Sequence, residues 1–554
     1  MSAVARRFDE EAAPGSPEPV AAPPAAVPAA VQHDASALPL GQRPATRAEL
    51  IGFLAMVFGM FMAILDIQIV SSSIAEIRAG LGASIDEVSW VQTAYLIAEV
   101  VMIPLSGFLS RVLSTRVLYV ISVGTFTIAS AGCAMATSIE AMIVLRALQG
   151  FLGGAMIPTA FAAAYTVFPP NKRNTMSVLI GLIATMAPTI GPTLGGYLTQ
   201  VFSWHWLFLI NVVPGILVAL IVWASPPMDQ PNRSLLKGFD AIGLAAMAVF
   251  LGSLEYILEE GPGDDWFDSS TILLLAVMSV AGAAIFFWRS LTYRNPIVDL
   301  SAFANRNFAS GSVFSFSVGV GLYGMVYLLP LYLGTVRGLN SLQIGEMLFV
   351  TGLTQFLTAP IAGNLGRKFD PRIPLALGFI MMGVSTWILS HITADWDFYE
   401  LMWPQMLRGC GVMIAMIPVN GLALGTLPPD KLKSASGLYN LMRNLGGAVG
   451  LAALNTLLQD REALHWSRLA ESINPARPEV QAMLDGLTQR MADMGVADPE
   501  QGALRVLGQM VQTQANVMSY GDAFTVLTVM FAIATCIIPF VRKPRRAAGG
   551  GGGH

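Results

Sequence analysis

The chain has 554 residues, 54% of them hydrophobic and only 12% charged, with a mean hydropathy of +0.59. A soluble domain carries about 25% charged residues, so this composition describes a polytopic membrane protein and excludes an ordinary soluble domain. The net charge of -4 reflects acidic loops such as EEGPGDDWFDSS at 259–270; no nucleic-acid partner is expected.

Residues 1–48, rich in Ala and Pro and without a cleavable signal pattern, read as a disordered cytoplasmic tail. Windows of about 20 apolar residues then predict fourteen spans. They begin near residues 51, 89, 117, 141, 176, 204, 240, 271, 309, 342, 373, 399, 434 and 522. With the amino terminus inside, most Lys and Arg fall on the inner side, as the positive-inside rule requires, and both termini are cytoplasmic. An odd span count would destroy that partition. Cys133, Cys410 and Cys536 fall in spans and read as small buried hydrophobes. No disulfide framework, metal spacing or cofactor-binding pattern is present.

Ionisable residues inside apolar spans cost about 3 kcal/mol each on insertion scales unless paired, hydrated or neutralised, so they mark function. Asp66, in the first span, lies about 7 Å below the outer edge of a ~30 Å core, and Arg146, in the fourth, about 8 Å below the same edge. The two can pair across the bundle, either as part of proton coupling or as a static strut. Glu99, in the second span, reaches about 15 Å, close to the midplane. Burial penalises an ionised carboxyl, whereas a nearby guanidinium favours it. Glu99, with no cation adjacent in sequence, is therefore the better proton carrier. Gln92, Tyr95 and Met102 lie on or near the same helix and are expected to line a substrate cavity.

The fifth span, GLIATMAPTIGPTLGGYL at 181–198, crowds Pro188, Gly191, Pro192, Gly195 and Gly196 onto one helix. Small residues at four-residue spacing allow close backbone approach, and proline removes a hydrogen bond and bends a helix, so a kinked, tightly packed seam is expected there. Beyond it, Glu255 sits near the outer end of its span and is expected to snorkel to water.

Two halves repeat. GFLSR at 107–111 returns as GNLGR at 363–367, LR at 145–146 returns at 407–408, and the inner-loop run ending at Ser177 returns in one ending at Ser436, all at near-equal offsets. Such a parallel duplication places a substrate site between the halves. The implied domains are a six-helix bundle at 49–225, two inserted helices at 226–295 and five helices of a second bundle at 296–458. A periplasmic helical segment at 459–520, the last helix at 521–541 and a cytoplasmic tail at 542–554 complete the chain. The terminal GGGGGH reads as a tag remnant. In the second half Glu346, Arg408 and Arg443 are further cavity candidates, with structural pairing the stronger reading for Arg408. The amphipathic stretches EALHWSRLAE and VQAMLDGLTQRMADM predict two or three helices in the 459–520 segment, which either cap the exit or dock a partner.

The chain resembles fourteen-span drug:proton antiporters of the major facilitator superfamily, EmrB/QacA-type. LDIQIVSSSI at 65–74, GFLSRVLSTR at 107–116, LRALQG at 145–150, the GPTLGG motif, WHWLFLINVVPG at 204–215, DWFDSS, NPIVDLSAFANRNF and DAF carry the likeness from about 50 to 541. The resemblance implies an all-α membrane protein of the major facilitator fold: two six-helix bundles in parallel pseudo-repeat plus two inserted helices. It further implies that Asp66 and Arg146 belong to proton coupling, that Gly191, Pro192, Gly195 and Gly196 form the antiporter motif, and that Gly107 and Arg111 belong to a cytoplasmic gate shared with Arg116, Gly363 and Arg367. Ser110 and Leu113 replace the family's usual Asp and Gly in that gate, and His205 replaces a common Arg. The 459–520 segment resembles that of Gram-negative members that work with a periplasmic membrane-fusion adaptor and a TolC-type outer-membrane channel.

The expected function is export of hydrophobic or amphipathic small molecules across the bacterial inner membrane in exchange for protons, by a secondary transporter rather than an enzyme. A dedicated exporter of one endogenous metabolite, such as a siderophore or lipid-like acid, is the rival. A non-transporting membrane scaffold or receptor is the more distant one.

Overall fold

Four of the long helices open on a reciprocal cap that the sequence supplies, in which a short polar side chain and an acid or amide three residues on satisfy each other's free backbone N–H groups. The pairs are Thr46 with Glu49, Ser84 with Glu87, Asn340 with Gln343 and Asp397 with Glu400. In the computed structural model, which describes residues 43–428, 431–474 and 476–541, all regular structure is helical. The tails at 1–42 and 542–554 lie outside the described residues.

The first half comprises α1 (Arg47–Ser71), α2 (Ile74–Leu81), α3 (Ile85–Leu113), α4 (Thr115–Ala134), α5 (Ile139–Gly153), α6 (Met156–Val167), α7 (Pro170–Val201), α8 (Trp206–Leu209) and α9 (Val212–Ala224). An inserted hairpin follows, α10 (Ala241–Glu260) and α11 (Ser270–Thr292). The second half comprises α12 (Arg306–Thr335), α13 (Ser341–Lys368), α14 (Arg372–Leu389), α15 (Phe398–Leu424), α16 (Leu432–Ser472), α17 (Pro478–Asp493) and α18 (Pro499–Ile537).

Within the first bundle α1 packs on α7, α9 and α6, and α3 on α5; within the second, α12 packs on α16, and α14 on α15 and α18. The bundles meet along two lines, α3 with α16 and α7 with α13. The hairpin docks through α10, which touches both α3 and α16, so it bridges the first of those lines. By contrast α11 touches α10 and leaves Leu273, Val277, Val280 and Trp288 exposed, as a lipid-facing helix should.

Thirteen segments of the described residues are long and apolar enough to cross a membrane. The span expected near 434 falls in α16, which is not among them: its membrane-depth half carries buried Ser436, Asn440 and Arg443. Helix α7 is continuous through Pro188 and Pro192. Across 459–520 the helices are the far end of α16, which runs on to Ser472, then α17 and the beginning of α18 at Pro499; neither Gly nor Pro interrupts 451–472 and no Pro falls within 500–537. Only α17 is separate, seated on α18 through Leu487, Ala503 and Leu507.

Candidate functional site: a carboxylate-lined cavity between the bundles

Asp66 and Arg146 meet as the depth argument requires. Both are fully buried, with Arg146 Nη1 donating to Asp66 Oδ2 at 2.5 Å. The opposite carboxylate oxygen accepts from Asn211 Nδ2 at 2.7 Å and from Gln149 Nε2 at 3.1 Å. Arg146 also donates from Nε to the Val91 carbonyl at 3.1 Å and lies over the Tyr95 ring at 4.2 Å. Such extra hydrogen bonds offset the desolvation of a buried ion pair, with Arg146 Nη2 left without a hydrogen-bond partner among the described residues. Gln149 and Asn211 were not singled out in the sequence. Gln149 could have been found from its i+3 spacing to Arg146 on one helix face, and Asn211 from its place as the one amide in the apolar run of WHWLFLINVVPG.

The same helix that carries Arg146 seats Glu99. A Cβ on Gly150 would stand 2.8 Å from Tyr95 Cα, and one on Gly154, just past the end of α5, 2.8 Å from the Glu99 carbonyl oxygen. These glycines therefore let α5 approach the Tyr95–Glu99 segment of α3 backbone to backbone. Glu99 is 2% exposed and lines a cavity between the bundles. The walls are Ile67 and Gln68 of α1, Gln92, Leu96 and Val100 of α3, Tyr323 of α12, and Asn444, Gly447, Ala448 and Leu451 of α16. Glu255 and Glu259 of the inserted α10 complete them. Arg146 and Arg443 act on the Glu99 carboxylate, and Asn444 is within its hydrogen-bonding reach.

Glu255 corrects a sequence expectation: it is 7% exposed and faces the cavity instead of reaching water. The cause is the docking of α10 on α3, where Tyr256 meets Trp90 at 5.4 Å between ring centroids and Glu260 accepts from Thr93 Oγ1 at 2.8 Å. Of the other predicted cavity residues, Gln92 lines the space, whereas Tyr95 and Met102 are buried beside it, Tyr95 under Arg146. Arg443 is buried with Nη2 on Asn440 Oδ1 at 2.6 Å and its guanidinium over Phe161. Arg408 is buried without a hydrogen bond to any described residue, and Glu346 is exposed. Neither belongs to the cavity lining.

The predicted seam in α7 has two faces. Cβ atoms on Gly191 and Gly195 would collide with Gln68 and with the Ile69 carbonyl of α1, while Thr193 abuts Gly345 of α13. Pro188 and Gly196 are buried and Pro192 half-buried in the same stretch. At the end of the bundle rich in basic residues, a Cβ on Gly107 would stand 2.8 Å from Ser434 Cα, so α3 closes directly onto the start of α16. Arg111 returns its Nε to the Gly107 carbonyl, and Arg116 donates to the Ser225 carbonyl at 2.8 Å. Gly363 faces Val178; the Arg367 side chain lies outside the described residues. Ser110, standing where an acid was expected, turns its hydroxyl back to the Gly107 carbonyl. The acid of this junction comes instead from the linker after α9: Asp229 accepts from the Thr115 N–H and hydroxyl, both at 2.9 Å, and pairs with Lys433.

The Major Facilitator Superfamily profile matches residues 56–451. The colistin resistance protein EmrB of Acinetobacter baumannii is 44% identical over 494 residues, covering 89% of this chain and 96% of that protein. The multidrug export protein EmrB of Escherichia coli is 33% identical over 515 residues, covering 92% and 99%. Among solved structures, the proton:xylose symporter XylE superposes with a TM-score of 0.57 at 13% identity over 89% of this chain and 96% of its own, which speaks for the fold alone.

Proposed function

This chain belongs to the major facilitator superfamily, as an EmrB-type transporter and not an enzyme, and we propose that it exports hydrophobic or amphipathic small molecules across the bacterial inner membrane in exchange for protons. The observation that carries this reading is Glu99: a carboxylate buried at mid-span, on the wall of a cavity between two bundles, within the influence of two arginines. Protonation of Glu99 from the outer side removes a charge from the wall and releases substrate outward; loss of that proton inside resets the site. The driving force suffices, since one charge moved through 100 mV is worth about 2.3 kcal/mol.

Asp66 and Arg146 set the surroundings of Glu99 or share its proton. The α7 seam closes the pathway against ion leakage, and the Gly107 junction forms the cytoplasmic gate, with both termini cytoplasmic. The helical extension formed by the far ends of α16 and α18 together with α17 meets a periplasmic adaptor leading to a TolC-type channel, a reading that the length of this extension supports. Proton-driven efflux from proteoliposomes carrying Glu99→Gln tests the coupling. Loss of pH-dependent transport is expected, and unchanged transport removes Glu99 from the mechanism.

A further inference from the structure

Two of the three carboxylates on the cavity wall come from the inserted helix. Glu255 and Glu259, four residues apart on α10, share one face one turn apart, and Glu99 faces them from α3. The charged groups that act on Glu255 are Glu259 and Glu99, both acids. No Lys, Arg or His lines the cavity. The two nearby guanidiniums, Arg146 and Arg443, bear on Glu99, and neither is among the charges that act on Glu255. Glu255 itself, more than nine-tenths buried, makes no hydrogen bond or ion pair with a described residue, and the buried Gln92 Oε1 beside it has no partner either.

An unpaired buried carboxylate is costly unless it takes up a proton or a compensating cation. A small metal ion is a poor fit: no grouping of acid, His or Cys side chains among the described residues is tight enough to chelate one. The remaining walls combine the apolar Ile67, Leu96, Val100 and Leu451 with the amides of Gln68, Gln92 and Asn444 and one aromatic ring, Tyr323, suited to the face of an organic cation.

We propose that the inserted helix is part of the transport pathway, and that Glu255 and Glu259, with Glu99 and Tyr323, select amphipathic organic cations as cargo. The role rests on the reading of this cavity as the transport site and adds the sign of the cargo's charge. It gives the inserted hairpin two divided tasks: α11 faces lipid, and α10 supplies the charge-reading wall.

The test is equilibrium binding of a shape-matched pair, tetraphenylphosphonium and tetraphenylborate, to the purified full-length protein. The wild type is expected to bind the cation and to favour it over the anion by about tenfold or more. Glu255→Gln is expected to weaken cation binding by about tenfold, with anion binding unmoved. Equal affinity of the wild type for the two ions, or cation affinity in Glu255→Gln within about twofold of wild type, overturns the proposal. Should that variant fail to fold, carbodiimide modification of the wild type followed by peptide mass analysis decides. Protection of Glu255 by tetraphenylphosphonium but not by tetraphenylborate supports the assignment, and equal modification in both contradicts it. These measurements need no proton gradient, so failure of proton coupling and failure of cation selection are separately visible.

Discussion

Asp229 and Lys433 are paired across the boundary between the two bundles, joining the linker after α9 to the start of α16. Asp229 at the same time holds the first N–H and hydroxyl of α4 through Thr115. It does so beside Ser114, whose φ of 83° places a non-glycine residue in left-handed backbone, a conformation costing about 1–3 kcal/mol unless its surroundings enforce it. One acid thus braces a strained turn and latches the two bundles. That combination explains how the junction closes although position 110 is a serine.

Removing the latch is expected to loosen this end of the protein. Both side chains are mostly buried, at 15% and 19% exposure, so the pair contributes about 1 kcal/mol, and Asp229→Asn or Lys433→Gln should raise the open population about fivefold. A cysteine placed at the buried Ser434 reports this through its maleimide labelling rate, read over the background of the native cysteines. The exchanged pair Asp229→Lys with Lys433→Asp should recover the slow rate only in part, because a lysine at 229 cannot accept from Thr115. Labelling that ignores all three changes would show that the latch does not hold the junction.

The Asp66 and Arg146 pair predicts non-additive stability. Either Asp66→Asn or Arg146→Gln leaves one buried charge uncompensated and should cost about 3–5 kcal/mol. The double variant should cost clearly less than the sum of the two, because the side chains of Gln149 and Asn211 can still bridge neutral partners. Thermal unfolding in detergent gives all three values. Simple addition would mean that the two groups do not compensate each other.

Arg408 should behave in the opposite way. Its Nε and Nη2 are buried without partners, so Arg408→Met removes a desolvated charge and loses no hydrogen bond to a described residue. Stability equal to wild type, or greater by about 1 kcal/mol, is expected in the same unfolding experiment. A loss comparable with that of Arg146→Gln would reveal a counter-charge.

Two glycines on α7 separate close packing from helix propensity. Gly195→Ala drives a methyl group to 2.7 Å from the Ile69 carbonyl oxygen and should cost about 1–3 kcal/mol while forcing α7 away from α1. Gly181→Ala meets Met416 only at 3.4 Å and should be neutral or stabilising by up to about 1 kcal/mol. Parallel measurements of unfolding and transport check the contrast. Equal effects at the two positions would rule out the α7 to α1 seam as a point of special closeness.

Depth and chemistry are properties that an amino-acid string carries by itself in a membrane protein. The apolar windows set where each helix crosses, the rise of 1.5 Å per residue converts position into depth, and Asp66 could thereby be matched to Arg146 eighty residues away. The glycine crowding in α7 was equally local. What depth leaves open is rotation about each helix axis and the lateral neighbour it meets. Those two variables decided that Glu255 turns into the cavity while Glu346 turns out, that Asn211 completes the Asp66 site, and that Asp229 supplies the acid missing at Ser110. Each depends on which helix faces which, through contacts between residues far apart in the chain, and a local pattern of apolar and polar residues does not encode that choice.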